Sequence, residues 1–365
     1  MDAIKNMDKT TRSNLITYGL VIVAFAVMQG LISVGAISSA MKGLLIPICA
    51  YISLSISLNL VVGISGELSL GHAAFMGVGG FTGVVTASLL SGVVASDALR
   101  FLLSCLAAGG VAALAGFLVG VPVMRLQGDY LAIVTLAFGE IIKNLLNNIW
   151  LGLDSEGLHI SMKNANALGL EQGGKILING PQGATGIERL STFTYGFLII
   201  LFTLFVVLNL VNSRSGRAIM AVRDNRIAAE SVGISTTKYR LMAFVVAAAL
   251  AGMAGALYAM NYSSIVPKKF DFNTSINILV FVVLGGMGNI RGGIIAATLL
   301  TVLPEKLRFL GDLRMLIYAV VLIMVMLVSN NRTLQAMRDA LIERVRRRRD
   351  DDDDLAPEAS RGGDA

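Results

Sequence analysis

The feature that most limits the fold of this chain is a series of apolar runs, most of them about as long as a bilayer is thick. A transmembrane helix needs about 20 consecutive apolar residues. Ten such runs follow one another, at residues 15–37, 43–62, 72–92, 99–122, 130–149, 193–212, 241–262, 275–287, 293–309 and 314–329. Only 15% of the residues are charged, against about 25% in a soluble domain. The sequence therefore predicts an all-α polytopic membrane protein with about ten transmembrane helices.

The eighth and ninth runs are shorter than the others, and only GNIRGG (288–293) separates them. They predict either two crossings or one re-entrant pair, and the sequence leaves both alternatives open. Both alternatives leave the chain that follows on the same side of the membrane.

Charge in the loops predicts the orientation. Segment 213–240 has six basic residues against two acidic ones, whereas segment 150–192 has three basic and four acidic residues. Loops rich in Lys and Arg stay in the cytoplasm, so the first is predicted to lie inside and the second outside. Both termini are then cytoplasmic. The predicted division is a cytoplasmic N-terminus (1–14), a transmembrane domain (15–330) and a charged, disordered cytoplasmic tail (331–365).

Several functions are excluded by composition and spacing. The net charge of +6 does not indicate nucleic-acid binding, because most basic residues flank apolar runs. Cys49 and Cys105 lie in separate apolar runs, and the two histidines have no Cys, Asp or Glu at metal-ligand spacing. The G-x-x-x-x-G-K match at 169–175 is followed by Ile176 where Ser or Thr would hold magnesium. The chain is therefore predicted to be no enzyme, and to bind no metal or nucleotide of its own.

The stretch GISGELSLGH (63–72) interrupts two apolar runs with glycines, serines and Glu67. It predicts a broken helix whose second half begins near Gly71 and His72 and directs its free N–H groups and positive dipole end into the break. Such helix N-termini bind carboxylates inside membranes. The alternative is a tight cytoplasmic hairpin with Glu67 in water.

A second glycine-rich stretch, VVLGGMGNIRGGII (282–295), resembles the first and also introduces a new helix. Short helices interrupted by glycine in corresponding halves of a chain indicate a substrate path. Glu140 and Lys143 lie on one face of run 130–149, either lining a cavity or near the outer interface. The residues predicted to line the path are Ser65, Glu67, Ser69, Gly71, His72, Phe75, Met76, Glu140, Gly292 and Gly293.

Segment 215–240 predicts an amphipathic basic helix between two apolar runs. Its apolar side, predicted to include Ala218, Ile219, Val222, Ala228, Ala229 and Val232, is mostly small. Gly233 is predicted to end the helix as a C-terminal cap. Such a helix lies either in the lipid headgroups or against a protein. The absence of Trp, Phe and Leu anchors favours docking into a groove on another protein.

Four motifs resemble one known family. GISGELSLGHAAFMGVGGFT, GDYLAIVTLAFGEIIKNLLNN, GRAIMAVRDNRIAAESVGISTTKYRLMAF and ILVFVVLGGMGNIRGGIIAATLL, in this order, are similar to the LivM-type permease of bacterial branched-chain amino acid ABC importers. The resemblance covers roughly residues 43–330. It implies a multi-pass protein of the bacterial inner membrane that carries leucine, isoleucine or valine.

The resemblance also implies partners: a LivH-type partner permease, two cytoplasmic ATPases that bind the ATP, and an extracytoplasmic substrate-binding protein. It implies that 216–233 is the coupling helix that contacts an ATPase. The residues assigned to this contact are Gly216, Arg217, Arg223, Asp224, Ala228, Ala229, Glu230 and Gly233. Permeases for urea and short amides look very similar and remain an alternative. An ion-coupled secondary transporter is a second alternative, disfavoured because it has no need for a docking helix.

Overall fold

Helices make up most of the part of the chain that the structure describes. The computed structural model describes residues 9–35, 38–126, 128–154, 157–170, 174–313, 316–317, 319–320 and 322–324. Within these residues the helices are α1 Lys9–Ser33, α2 Ser39–Asn59, α3 His72–Leu89, α4 Asp97–Val123, α5 Asp129–Asn147, α6 Phe193–Asn212, α7 Arg214–Asp224, α8 Arg226–Ser231, α9 Thr236–Ala259, α10 Phe272–Gly285 and α11 Ile290–Lys306.

Seven helices in the described part of the chain are long and apolar enough to span a membrane: α1 to α6 and α9. Each coincides with a predicted run to within a few residues, so the prediction of a helical, multi-pass membrane protein is confirmed. The eighth and ninth runs form α10 and α11, of 14 and 17 residues. The tenth run falls largely outside the described residues, and the tail 331–365 lies wholly outside them. The total of ten crossings therefore stays a prediction.

The chain forms two compact units, residues 1–302 and 303–365. In the second, the described part comprises the end of α11 and a 3₁₀ turn, Leu307–Leu313, near which Arg308 pairs with Glu305 at 3.1 Å. All other features described below belong to the first unit.

Helix α9 is the centre of the first unit and packs against α2, α3 and α4. Small residues line its contacts: Gly252 lies against Ala108 and Ala112 of α4, and Gly255 lies against the Met76 carbonyl of α3. A Cβ atom at Gly255 would overlap that carbonyl. Small residues allow close approach of membrane helices, where packing replaces the hydrophobic effect.

The predicted outer loop contains a small antiparallel sheet that the all-α prediction missed. Its strands are β1 Trp150–Leu153, β2 Leu158–Ser161, β3 Lys175–Asn179, β4 Ala184–Thr185 and β5 Ser264–Ile265, in the order β2-β1-β3-β4-β5. Trp150 pairs with Ser161 on one side and Asn179 on the other. Because β5 follows α9, the sheet joins two segments distant in sequence.

The sheet and the basic loop 213–240 lie at opposite ends of the first unit. Helix α6 has 20 residues and thus separates them by roughly 30 Å, and α9 returns from the loop to β5. This agrees with the prediction that 150–192 and 213–240 face opposite sides of a membrane. Which side is the cytoplasm stays a prediction.

Candidate functional site

The first interruption is a broken helix, as predicted. Helix α2 continues through a π-helical turn, Leu60–Ile64, and the chain is then non-helical until α3 begins at His72. The His72 Nε2 atom lies 2.8 Å from the Ser57 Oγ atom. Ser57 precedes Ile64 by about two turns, or roughly 10 Å along the helix axis. Helix α3 therefore begins inside the bundle, and residues 65–71, named here the first break, fold back into it.

Side chains of neighbouring helices accept hydrogen bonds from main-chain N–H groups that have no helical partner at the first break. The Leu70 N–H donates to the Thr135 Oγ1 atom of α5 at 3.0 Å, and the Ala73 N–H donates to the Ser275 Oγ atom of α10 at 3.1 Å. A Cβ atom at Gly71 would overlap the Thr135 carbonyl oxygen. Glycine at 71 thus lets α5 approach the start of α3. Non-helical backbone at membrane depth needs such partners or a water-filled cavity.

The predicted path residues Ser65 and Ser69 are buried, with 3% and 1% of their surfaces exposed. Neither hydroxyl has a hydrogen-bond partner among the described residues, and the same holds for Ser53 Oγ and Asn59 Nδ2 on α2. A buried polar group left unpaired costs about 1–3 kcal/mol. Within the described residues, Ser65 and Ser69 thus place two unpaired hydroxyls in the first break itself, as expected of residues that bind a polar ligand.

Phe75 and Met76 are buried on the first turns of α3. The Phe75 ring centre lies 5.4 Å from that of Phe244 and 5.7 Å from that of Phe138. The start of α3 therefore has apolar surroundings on this side. A role of these side chains as a wall for an aliphatic substrate stays a prediction.

The second interruption, residues 286–289, is a tight turn, named here the second break. Gly286 and Gly288 have φ angles of 88° and 82°. Helix α11 restarts at Ile290, two residues before the predicted Gly292. The Gly292 N–H donates to the Asn289 Oδ1 atom at 3.2 Å, and the Gly293 N–H donates to the Asn289 carbonyl at 3.1 Å. Both N–H groups are therefore bonded to Asn289, and the prediction that Gly292 and Gly293 line the path stays a prediction.

The two breaks lie against the same part of α2. The Gly288 N–H donates to the Asn59 Oδ1 atom at 2.8 Å, and the Ser55 hydroxyl donates to the Gly293 carbonyl at 3.3 Å. A Cβ atom at Gly63 would overlap the Gly288 nitrogen. The weak sequence similarity between the two stretches thus corresponds to a real spatial neighbourhood.

Glu140 forms an ion pair with Lys143 one turn further along α5. Their side chains are 36% and 22% exposed. Helix α5 meets the first break at Thr135, which accepts the Leu70 N–H, and at Gly139, where a Cβ atom would lie 3.6 Å from the Gly71 Cα atom. Both earlier interpretations of Glu140 stay predictions.

The basic loop holds two helices where one was predicted. Ser213 caps α7 by accepting the Gly216 N–H at 3.1 Å. Asn225 then adopts an extended conformation (φ −155°) and caps α8 by accepting the Ala228 N–H at 3.0 Å. Asparagine is among the best N-cap residues, and this signal at Asn225 was overlooked.

Gly233 ends α8 as predicted. Its φ angle is 82°, and the Ile234 N–H donates to the Ala229 carbonyl at 3.0 Å. This is a Schellman-type cap that favours glycine. Next to it, Glu230 accepts hydrogen bonds from Thr236 Oγ1 at 2.8 Å and Arg226 Nε at 3.0 Å. The hydrogen bond from Thr236, followed by that from Arg226, lowers the pKa of Glu230 below its ordinary value.

The exposed surface of the loop differs from the prediction. Gly216, Ile219, Val222 and Ala229 are buried, but Ala228 is exposed and Val232 is 74% exposed. The break at Asn225 turns the face of α8, so these two do not continue the buried side of α7. Ile227, which was not predicted, is 81% exposed. Ile227, Ala228 and Val232 form the exposed apolar surface of the loop, and Arg217 and Asp224 of α7 are exposed as well.

Two arginines connect the loop region to the first break. Arg223 donates from Nη1 to the Gly63 carbonyl at 3.0 Å and pairs with Asp224 at 2.9 Å. Arg240, only 3% exposed, donates to the Met124 and Leu126 carbonyls at 3.0 and 3.3 Å and forms an ion pair with Glu67. Glu67 is thus paired with a cation, and Arg240 is a site residue that the sequence did not reveal.

A bundle of spanning helices, a helix broken inside it and a loop bonded to that break define a membrane transport permease. The chain belongs to the family described as the permease component of the branched-chain amino acid transport system, whose model matches residues 40–328. It is a multi-pass membrane protein.

Several relatives carry similar names. The high-affinity branched-chain amino acid transport system permease protein LivM of Salmonella typhimurium is 35% identical over 276 residues, 73% of this chain and 62% of the relative. LivM of Escherichia coli is 37% identical over 235 residues, 62% of this chain and 53% of the relative. The probable LivM of Methanocaldococcus jannaschii is 26% identical over 250 residues, 60% of this chain and 67% of the relative. The chain thus spans less than two thirds of the two bacterial relatives. No solved structure matches it.

Proposed function

We propose that this chain is a permease subunit of an ATP-binding cassette importer that carries leucine, isoleucine or valine across the inner membrane. The observation that carries the proposal is the loop α7–α8, which displays an apolar surface outward and bonds the broken helix inward through Arg223. An energy source outside the membrane domain requires a contact of this kind. The family of the chain supplies the class of substrate.

The proposed partners follow from the same arrangement. Two cytoplasmic ATPases bind the ATP, and one of them receives Ile227 and Val232 in a groove. A LivH-type partner permease completes the path, and an extracytoplasmic binding protein delivers the amino acid. The permease chain itself needs no cofactor for this function.

The first break supplies the chemistry for passage of a zwitterion. A carboxylate stripped of water costs several kcal/mol unless donors replace the solvent. The Ser65 and Ser69 hydroxyls are the donors at this place, and Phe75 and Met76 lie on the apolar side. Affinity in the path should be weak, on the order of millimolar, because tight binding would oppose release.

Uptake by the assembled complex in liposomes tests the proposal. The chain is reconstituted with a LivH-type permease, two ATPases and a binding protein, and labelled leucine and labelled urea are offered with ATP. We expect ATP-dependent leucine uptake that persists when proton and sodium gradients are collapsed. Uptake of urea in place of leucine would select the amide alternative. Uptake driven by an imposed ion gradient without ATP would overturn the importer.

The exposed surface of the loop has its own test in the same system. Ile227→Asp should abolish uptake because it places a charge in the proposed apolar contact. Thr237→Asp is the control, because Thr237 is exposed on the same loop but lies outside the apolar surface. Uptake by Ile227→Asp equal to that of Thr237→Asp would refute the docking role of this surface.

A further inference from the structure

Arg223 lies between the basic loop and the first break. Its guanidinium group donates to the Gly63 carbonyl at 3.0 Å and to the Asp224 carboxylate at 2.9 and 3.0 Å. Its Cγ atom lies 2.6 Å from the position that a Cβ atom at Gly66 would occupy. Gly66 also has a φ angle of 75°. The turn at Gly66 therefore accommodates the arginine stem as well as the left-handed backbone.

The carbonyl that Arg223 binds belongs to the end of a helix. The last carbonyls of a helix have no partner within it, and Gly63 lies in the π-helical turn that closes α2. The turn is otherwise held by the Ser65 N–H on the Leu60 carbonyl and the Glu67 N–H on the Val61 carbonyl, both at 3.0 Å. A hydrogen bond from a charged donor is worth about 1.5–3 kcal/mol. Arg223 is thus a substantial attachment of this turn to α7.

The other side of the first break is attached to a different part of the molecule. Arg240 binds Glu67 and also the carbonyls of Met124 and Leu126, where α4 ends. Its side chain is 3% exposed, whereas that of Arg223 is 38% exposed. The first break therefore has one buried attachment, on α9 and α4, and one half-exposed attachment, on the loop that carries the apolar surface.

We infer that Arg223 is a positioning residue that passes a displacement of α7 to the first break. When the loop is drawn away from the bundle, the bond from Arg223 to the Gly63 carbonyl breaks, and the turn at Gly63–Gly66 is released. The ion pair of Arg240 and Glu67 holds the far side in place, so the movement is confined to the segment that contains Ser65. This inference rests on the proposed function for its energy source, but the contact itself is a property of this chain.

Thiol labelling of the chain without partners tests the contact. Cys49 and Cys105 are buried and are replaced by alanine, and a single cysteine is placed at Ser65. Arg223→Ala should raise the rate of modification by a small polar reagent about tenfold, the change expected from loss of one charge-assisted hydrogen bond. Arg217→Ala is the matched control, because within the described residues the Arg217 side chain bonds the Asn212 carbonyl at the end of α6, at 3.2 Å, and not the first break.

Arg223→Lys gives an intermediate test in case the alanine variant does not fold. Lysine keeps the charge but cannot bond Gly63 and Asp224 in the planar arrangement of a guanidinium, so an increase smaller than tenfold is expected. A rate equal to that of Arg217→Ala in both Arg223 variants would overturn the inference.

The assembled complex supplies the functional readout. Arg223→Ala should keep ATP hydrolysis and lose about tenfold in leucine carried per ATP. Arg214→Ala should match the unmodified chain, because Arg214 is an exposed arginine of the same loop that is not assigned to the ATPase contact. Unchanged coupling in Arg223→Ala would refute the positioning role and leave the importer intact. If the unmodified complex carries nothing with ATP, the proposed function fails, and the labelling of the isolated chain still decides the contact.

Discussion

The two breaks share a glycine-rich sequence but differ in how their polar groups are satisfied. At the second break and the start of α11, the Gly288, Gly292 and Gly293 N–H groups are bonded to the side chain or main chain of an asparagine. In the first break, the Ser65 and Ser69 hydroxyls are buried and have no partner among the residues that the structure describes. The second break closes a turn between α10 and α11, whereas the first places a helix N-terminus inside the bundle.

This difference separates a structural turn from a candidate path. A fully bonded turn gains nothing from a ligand, so substitutions in the second break should act on stability. Unpaired groups in the first break are stabilised when a ligand or water binds them, so substitutions there should act on transport. The following predictions test this division, from the largest expected effect to the smallest.

Gly285→Ala should have the largest effect on folding. A Cβ atom at Gly285 would overlap the Gly292 main chain, which belongs to the facing helix and cannot move as a side chain would. Overpacking of this kind costs about 3 kcal/mol or more. Gly110→Ala on α4 is the control, since its Cβ would meet open space. Thermal stability in detergent is the measurement, and equal stability of the two variants would contradict the tight turn.

Arg240→Ala should destabilise the chain by about 3 kcal/mol, because it leaves Glu67 without its buried cation and two carbonyls without a donor. Arg217→Ala, which removes an exposed arginine, should change the same melting temperature little. If Arg240→Ala is as stable as Arg217→Ala, the buried attachment of the first break is of no energetic importance.

The pair Asn289→Ala and Ser69→Ala compares the two breaks directly. Asn289→Ala removes the acceptor of the Gly292 N–H and should cost about 1 kcal/mol of stability without raising the KM for leucine. Ser69→Ala removes an unpaired hydroxyl and should leave stability unchanged or slightly higher, while uptake falls. Melting temperature and uptake are measured for both variants. If Asn289→Ala lowers uptake at unchanged stability and Ser69→Ala lowers stability at unchanged uptake, the interpretation of the two breaks is reversed.

Thr236→Val should have the smallest effect, seen only through pH. The folded-state pKa of Glu230 lies below its ordinary value of 4.5. Its contribution to loop stability is therefore complete above that pH and is lost as pH falls through the folded-state pKa. Loss of the Thr236 hydrogen bond should move this loss to higher pH. Hydrogen exchange of residues 229–236 between pH 3 and 7 measures the pH at which this stability is lost, with Thr237→Val as control. Identical pH profiles for Thr236→Val and Thr237→Val would refute the role of the Thr236 hydrogen bond.

The spans were predictable because each is a continuous stretch of hydrocarbon, and the first break because glycine and serine replace that hydrocarbon over a short distance. The sheet was not, because its strands have only two to five residues and β5 pairs with a strand that lies before α6. Such pairing depends on contacts distant in sequence.

The site was predictable in its location but not in its contacts. Arg223 was predicted to face an ATPase, yet its guanidinium group bonds Gly63, which lies 160 residues earlier in the chain. No local pattern indicates such a contact. The exposure of Val232 is different, since the N-cap signal of Asn225 was present in the sequence and would have predicted two helices.

Thiol modification with substrate protection tests most directly whether the first break lines the path and the second does not. Single cysteines are placed at Ser65, Ser69, His72 and Asn289 in the assembled complex, and leucine uptake is followed during treatment with a small polar reagent. We predict that modification at 65, 69 and 72 blocks uptake and is slowed by millimolar leucine. Modification at 289, which is exposed, should leave uptake intact. Cysteines at 65, 69 and 72 that stay unreactive at every stage of the ATP cycle would contradict the account.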